Sequence, residues 1–267
     1  TRFYTEKCEA MRNFANKIWN ASRFVMMNLT IDKCELPAAD ALAPEDKWVL
    51  SKLNTLVKEV TENLDAYEIG VASAKVYDFL WDPYCDWYIE LTKTRLQGED
   101  EGAKLAAQNV LCFVLTELLK LLHPFMPFIT EEIYQALPHE EQFIMTSRWP
   151  EYRADLAFPE EEAAMEAVMD TIKAIRARRA EMNVPPSRKA EGLIVYAQGR
   201  HFIQRLAYAS EVKFADAAPA DVSGMVTAVT HNATAYLPLS ELVDIAAELE
   251  RIRKEIEKAQ NGLRGVE

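Results

Sequence analysis

Residues 11–27 read MRNFANKIWNASRFVMM, a stretch whose apolar and polar positions separate onto different faces of a helix. With 3.6 residues per turn, one side collects the apolar side chains Met11, Phe14, Ile18, Ala21 and Val25. Another side carries guanidinium, amide and indole groups at spacings i, i+4, i+7 and i+11, namely Arg12, Asn16, Trp19 and Arg23. The pattern predicts a helix that buries one face and offers another to a ligand.

Two interpretations of this polar stripe are open from the pattern. Guanidinium groups pair with phosphate oxygens, and an indole beside amides offers a flat surface to an unstacked base, so the stripe suits single-stranded RNA. In the alternative, Trp19 packs beneath a neighbouring helix and the two arginines are ordinary solvated charges. The pattern alone favours this second interpretation by roughly two to one.

The composition indicates a helical globular protein without general affinity for nucleic acid. Of the 267 residues, 49% are hydrophobic, 27% are charged and only 8 are glycine. The formal net charge of -12 excludes a general nucleic-acid coat protein, because sequence-independent binding needs Lys and Arg on phosphates. Positive charge is local instead: residues 1–27 hold five Lys or Arg against two Glu, and residues 171–189 hold six against one.

The four cysteines indicate neither a metal site nor a disulfide framework. Cys8, Cys34, Cys85 and Cys112 are spread singly, without a CxxC pair or a histidine at ligand spacing. No run reaches the ~20 apolar residues of a membrane helix, and the first ten residues lack the apolar centre of a signal peptide. We therefore expect a soluble protein of the reducing cytoplasm and, because it begins with Thr1, a piece of a longer protein.

The fold class predicted from periodicity is mainly α, an antiparallel helix bundle followed by a small α/β subdomain and the start of a coiled-coil helix. After the first helix, the bundle helices are predicted at residues 44–64, 71–96 (with a kink at Pro83) and 103–123. A connecting helix at 160–183 precedes four short strands, and apolar residues spaced by three and four from Leu242 to Val266 form a heptad seam. The predicted domains are 1–150 for the bundle, 151–240 for the connecting helix and α/β subdomain, and 241–267 for the truncated coiled coil.

Five blocks, in order along the chain, resemble a known family. RNFANKIWNASRFV (12–25), YDFLWDPYCDWYIELTK (77–93) and LLHPFMPFITEEIYQAL (121–137) resemble the anticodon-binding region of class I aminoacyl-tRNA synthetases, and most closely that of the valyl enzymes. RRAEMNVPPSRKA (178–190) and ELERIRKEIEKA (248–259) resemble the segments that follow in those enzymes. The isoleucyl and leucyl enzymes share two of the blocks in looser form and do not end in this heptad.

The resemblance implies a tRNA-binding portion that lacks the active site. The HIGH-type and KMSKS-type ATP-binding motifs and the editing domain do not occur in residues 1–267, so we expect no catalytic residue, no metal ligand and no aminoacylation by this chain alone. The full-length enzyme would use ATP and Mg²⁺ to activate valine, charge tRNA(Val) and hydrolyse mischarged threonine. The implied partner is tRNA(Val), without DNA or membrane, and the implied state is a monomer that self-associates only through the truncated coiled coil.

The resemblance places the tRNA-facing surface on the first helix and on nearby parts of the bundle. The leading candidates are Arg12, Asn13, Asn16, Lys17, Trp19, Asn20 and Arg23. Arg and Lys would take phosphates, whereas Asn and Trp would read or stack unpaired bases. Further candidates are Trp87 and Lys93 in the bundle, and Lys173, Arg176 and Arg179 for contact with the tRNA backbone.

Two alternatives from other classes remain. One is a non-enzymatic helical scaffold that dimerises through residues 242–266, and its assembly should resist salt, whereas phosphate binding should weaken steeply with salt. The other is a self-contained enzyme, which the sequence supports least because it shows no carboxylate pair, activated nucleophile or phosphate loop.

Overall fold

The computed structural model describes residues 5–185, 187–189, 193–194, 200–215, 218–219, 221–238, 253 and 256. The chain divides into two compact units, Thr1–Ala163 and Ala164–Glu267, so the division falls inside a helix rather than at residue 150. The predicted heptad seam and the predicted 241–267 domain lie outside the described residues, apart from Arg253 and Ile256.

The first unit is a helix bundle, and its main elements follow the sequence prediction closely. They are α1 (Thr5–Asn28), α2 (Pro44–Asp65), α3 (Ile69–Phe79), a π-helical segment (Leu80–Tyr88), α4 (Ile89–Leu96), α5 (Glu101–Leu122) and α6 (Pro127–Gln135). Two short 3₁₀ turns, Ile144–Thr146 and Ala154–Leu156, flank an extended stretch. Pro44 and two acids open α2, as the missing proline N–H and the helix dipole favour.

Helix α5 is the centre of this bundle. Most of its residues from Ala106 to Leu122 are buried, and it packs against α1, α2, α3, α4 and α6. Its length and apolar composition would also allow it to cross a membrane, but 72% of its most apolar stretch is buried within the fold. Burial of this kind is what a core helix of a globular bundle requires.

Helix α1 joins the bundle through the predicted apolar face. Phe14, Ile18, Ala21 and Val25 are buried, whereas Met11, predicted to be buried with them, is 50% exposed. The reason is that α1 extends towards its N-terminus beyond the packed part of the bundle, and its described side chains before Phe14 are all exposed.

A buried ionic network holds the end of α4 against the start of α2. Arg95 Nη1 donates to Asp46 Oδ2 at 2.8 Å, and Tyr88 Oη donates to Asp46 Oδ1 at 2.7 Å. Arg95 Nε also lies 2.8 Å from Glu45 Oε1. Because the Asp46 carboxylate is fully buried, losing one of these partners would leave an uncompensated charge, and the network therefore fixes α4 in place.

The second unit contains most of α7 (Pro159–Glu181) and a small α/β arrangement, as predicted. Its further elements are β1 (Leu193–Ile194), α8 (Arg200–Leu206), β2 (Val212–Lys213), β3 (Met225–Val229) and β4 (Thr234–Pro238). The sheet order is β2-β1-β4-β3, with β1 parallel to β2 and antiparallel to β4. Strands β3 and β4 form an antiparallel hairpin in which Thr227 pairs with Tyr236.

Candidate nucleic-acid interface

A groove of about 460 Å³ lies between α1 and the chain that leads from the π-helical segment into α4. Helix α1 contributes Asn13, Asn16, Lys17, Asn20, Ala21 and Phe24, and the opposite wall consists of Cys85, Ile89, Glu90 and Lys93. The structure thus brings together five of the predicted tRNA-binding residues, Asn13, Asn16, Lys17, Asn20 and Lys93.

Three amides project from successive turns of α1 along this groove. Asn13, Asn16 and Asn20 are all exposed, and within the described chain none of their side chains has a hydrogen-bond partner. Each amide offers two N–H donors and a carbonyl acceptor. A row of unpaired amides can therefore read the hydrogen-bonding edge of an unstacked base.

The two ammonium groups of the groove are each held beside a carboxylate and an aromatic ring. Lys17 Nζ lies 2.8 Å from Asp86 Oδ1 and 3.8 Å from the centroid of the Trp81 ring. Lys93 Nζ lies 2.5 Å from Glu90 Oε1 and 5.5 Å from the centroid of the Phe24 ring. Both are therefore oriented hydrogen-bond donors rather than free surface charges.

The floor of the groove is apolar. Phe24 is half-buried and Ile89 is buried, and burial raises the pKa of the Cys85 thiol to about 12. Cys85 is therefore neutral at physiological pH and adds no charge to the groove. An aromatic ring beside an aliphatic side chain gives a base a surface on which to stack.

The groove-facing line of α1 is displaced by one residue from the predicted stripe. Asn13, Lys17, Asn20 and Phe24 follow the same spacing, i, i+4, i+7 and i+11, as the predicted Arg12, Asn16, Trp19 and Arg23. Phe24 was missed, although its i+4 spacing from Asn20 was a signal that could have found it.

The remaining members of the predicted stripe lie on the open surface of α1. Arg12 and Arg23 are exposed and, in the part of the chain that the structure describes, neither pairs with a carboxylate. Trp19 is 45% exposed and so does not pack beneath a neighbouring helix. No Asp or Glu occurs between Glu9 and Asp32, which leaves this surface positive.

Burial removes two of the predicted residues from any RNA-binding surface. Trp87 is only 3% exposed, because the π-helical segment turns it into the core of the bundle. Arg179 is also 3% exposed, and its Nη2 donates to the main-chain carbonyls of Pro185 and Arg188. The structure therefore corrects the prediction that these two side chains contact tRNA, because burial keeps both of them from reaching a ligand.

The other two residues predicted on α7 differ from each other in their surroundings. Arg176 is half-buried, and its Nε donates to the carbonyl of Leu206 at 2.7 Å, with the guanidinium 5.8 Å from the centre of the Tyr208 ring. Lys173 is exposed. Arg176 therefore serves the packing of the second unit, whereas Lys173 lies on the surface.

The fold and the groove define a class of protein, a helical bundle with a groove of amides, ammonium groups and one aromatic ring beside its first helix. The chain belongs to the family described as the anticodon-binding domain of tRNA ligase, whose sequence model matches residues 46–194. The matched range includes the Cys85–Lys93 wall of the groove and begins after α1.

Over nearly its whole length the chain is similar to valine–tRNA ligases. It is 48% identical to that of Clostridium acetobutylicum over 277 residues, which cover 100% of this chain and 31% of the relative. It is 50% identical to that of Clostridium tetani (94% of this chain, 29% of the relative) and 42% identical to that of Geobacillus stearothermophilus (96% and 30%). The chain thus spans about three tenths of the length of these curated relatives.

Proposed function

We propose that this chain is the tRNA-binding part of a valine–tRNA ligase and that the groove beside α1 receives unstacked bases of the anticodon. The observation that carries the proposal is the line of Asn13, Lys17, Asn20 and Phe24, which combines unpaired amides, one oriented cation and one ring on a single groove wall. These groups supply base-edge hydrogen bonds and stacking, the two interactions by which proteins read single-stranded RNA.

Different residues of α1 would contact the bases and the phosphates of the RNA. The groove residues would contact bases, whereas Arg12 and Arg23, exposed and without ion pairs among the described residues, would contact the phosphate backbone. Trp19 would offer a further stacking surface beside the groove. Contacts of this kind, remote from the reacting atoms, select the correct tRNA and help to place its acceptor end.

The longer protein would carry the chemistry. There, ATP and Mg²⁺ would serve valine activation, and tRNA(Val) would be charged and any mischarged threonine removed. This chain would hold tRNA, bind neither ATP nor metal, and be inactive alone. It would act as a monomer in the cytoplasm, and Lys173 remains a candidate for contact with the tRNA backbone.

The test is binding of this chain to three RNAs at two salt concentrations: valine tRNA, valine tRNA with an altered anticodon, and a non-cognate tRNA. We expect tighter binding of the cognate anticodon by about tenfold or more, as one well-read base provides. The variant Asn13→Ala/Asn20→Ala should lose most of this preference. Gln97→Ala, an exposed amide at the end of α4, is the matched control and should retain it.

Equal binding to all three RNAs would contradict the proposal, since only an electrostatic patch would then be active. Concentration-dependent dimers without RNA binding would favour the scaffold alternative instead.

A further inference from the structure

Lys17 is the only cation on the groove-facing line of α1, and two residues of the π-helical segment hold it from the opposite side. Asp86 accepts from its Nζ at 2.8 Å, and the Trp81 ring lies beneath the ammonium at 3.8 Å. The Trp81 ring is fixed in turn by stacking on Tyr77, with 5.8 Å between centroids and 17° between planes. The ammonium is therefore oriented by two groups before any ligand arrives.

The helical register of the segment decides whether these two groups can meet. Trp81 and Asp86 are five residues apart, and in an α-helix they would point about 140° away from each other. The i→i+5 hydrogen bonding of a π-helix brings residues five apart onto one side. Pro83 lies between them and has no N–H to donate, which disfavours the regular α-helical pattern at this point.

We propose that Trp81 and Asp86 are positioning residues, brought together by the π-helical register, that hold Lys17 as a directed hydrogen-bond donor to an anticodon base. The inference rests on the proposed function of the groove. One N–H of the ammonium is taken by Asp86 and its lower side by Trp81, so the remaining N–H groups point in fixed directions. Asp86 also neutralises the charge of Lys17 locally. Lys17 therefore differs in role from Arg12 and Arg23, which would bind phosphates.

The experiment measures the affinity of the chain for valine tRNA and for its anticodon variant as salt is raised. Lys17→Ala should weaken cognate binding about tenfold, reduce anticodon preference, and change the salt slope by much less than the ~0.7 that one phosphate contact on a single strand contributes. Asp86→Asn should weaken cognate binding three- to tenfold with the same loss of preference. In the double variant, Asp86→Asn should have no further effect, because its role passes through Lys17.

The chain provides matched controls for charge and for folding. Asp82 is an exposed acid of the same segment and has no partner among the described residues. Asp82→Asn therefore makes the same charge change without altering the clamp, the pair Trp81 and Asp86 that holds Lys17. It should leave anticodon preference intact. The Asp86 side chain is 48% exposed, so its replacement should not unfold the bundle. For Trp81, the Trp81→Phe variant retains an aromatic face and should keep more of the preference than Trp81→Leu.

Three outcomes would overturn the inference. Tighter tRNA binding by Asp86→Asn would show that Asp86 only competes with RNA for Lys17. Multiplying effects of the two single substitutions would show that they act independently. Anticodon preference unchanged in Asp86→Asn would overturn the clamp alone, whereas anticodon-independent binding by the unaltered chain would overturn the proposed function first.

Discussion

Helices α1 and α7 both carry runs of basic residues, but they use them in opposite ways. On α1, Arg12 and Arg23 are exposed and have no carboxylate partner within the described residues. On α7, three arginines donate to main-chain carbonyls of the second unit. Arg176 donates to Leu206, Arg178 to Thr227 and Arg179 to Pro185. A count of positive charges therefore does not identify a ligand surface, because the guanidinium groups of α7 serve the fold.

Net charge is equally uninformative about where RNA would bind. The first unit holds 16 Lys and Arg against 28 Asp and Glu, and the second holds 14 of each, yet the candidate interface is in the first. The explanation is local, since the stretch between Glu9 and Asp32 is free of acids. The potential at the open surface of α1 depends on the charges nearest to it, because salt screens the more distant ones.

The largest effect should come from Arg179, the most deeply buried cation on α7. Arg179→Ala would leave two main-chain carbonyls without their charged donor, at a cost of about 2 to 4 kcal/mol in the stability of the second unit. Hydrogen exchange at Val184 and at residues 187–189, together with thermal unfolding, would measure the loss. Arg23→Ala on α1 is the counterpart and should leave stability unchanged. If Arg179→Ala were as harmless as Arg23→Ala, the contrast between the two helices would fail.

The next effect concerns the floor of the groove. Phe24→Leu keeps most of the side-chain volume but removes the ring, and base stacking on an aromatic side chain contributes about 1 to 3 kcal/mol. We expect tRNA affinity to fall by about five- to thirtyfold while the unfolding temperature changes little. Phe113→Leu on α5 is the control, because Phe113 is similarly half-buried but does not line this groove. Equal losses from both variants would point to general loosening of the bundle rather than to stacking.

A smaller effect should separate phosphate contacts from base contacts on α1. Arg12→Ala and Arg23→Ala should each lower the salt slope of tRNA binding by about 0.7 and weaken all tRNAs a few-fold alike. Arg148 is also exposed and unpaired within the described chain, but it does not line the groove, so Arg148→Ala should leave the slope unchanged. A change of slope in all three variants would mean that the whole basic surface attracts RNA.

The sequence predicted the helices well because their determinants are local. Pro44 with its two following acids marks the start of α2, and the apolar period of α5 runs without interruption. Pro83, where a kink was predicted, lies inside a π-helical segment. Its register depends on packing against α1 as well as on the proline, so it could not be read from the sequence.

The site was predicted less well, since it depends on partners distant along the chain. Periodicity indicates which side of α1 is apolar, but it does not say which of two adjacent polar lines meets the opposite wall, so the stripe was displaced by one residue. Trp87 lies in a segment with aromatic residues on every side, and only packing decides which of them are buried. Arg179 was predicted to contact the tRNA backbone, because its carbonyl partners cannot be recognised before the loop is folded.

The smallest effect is expected at the acidic start of α7, where a pair at the surface contrasts with the buried Arg179. Lys47 Nζ lies 2.8 Å from Glu161 Oε1, and this hydrogen bond lowers the pKa of the Glu161 carboxyl. Because the folded-state pKa is below the unfolded one, the pair stabilises the fold above the unfolded pKa of about 4.3, and the gain is lost as the pH falls through the folded value. Glu161→Gln should therefore lower stability at neutral pH by less than about 1 kcal/mol, and by nothing in strong acid.

Thermal unfolding from neutral to acidic pH would measure this effect of Glu161→Gln. The control is Glu160→Gln, because Glu160 is exposed and unpaired within the described residues. A loss that persists in acid would mean that Glu161 contributes through packing, as Arg179 contributes through main-chain hydrogen bonds, and not through its charge.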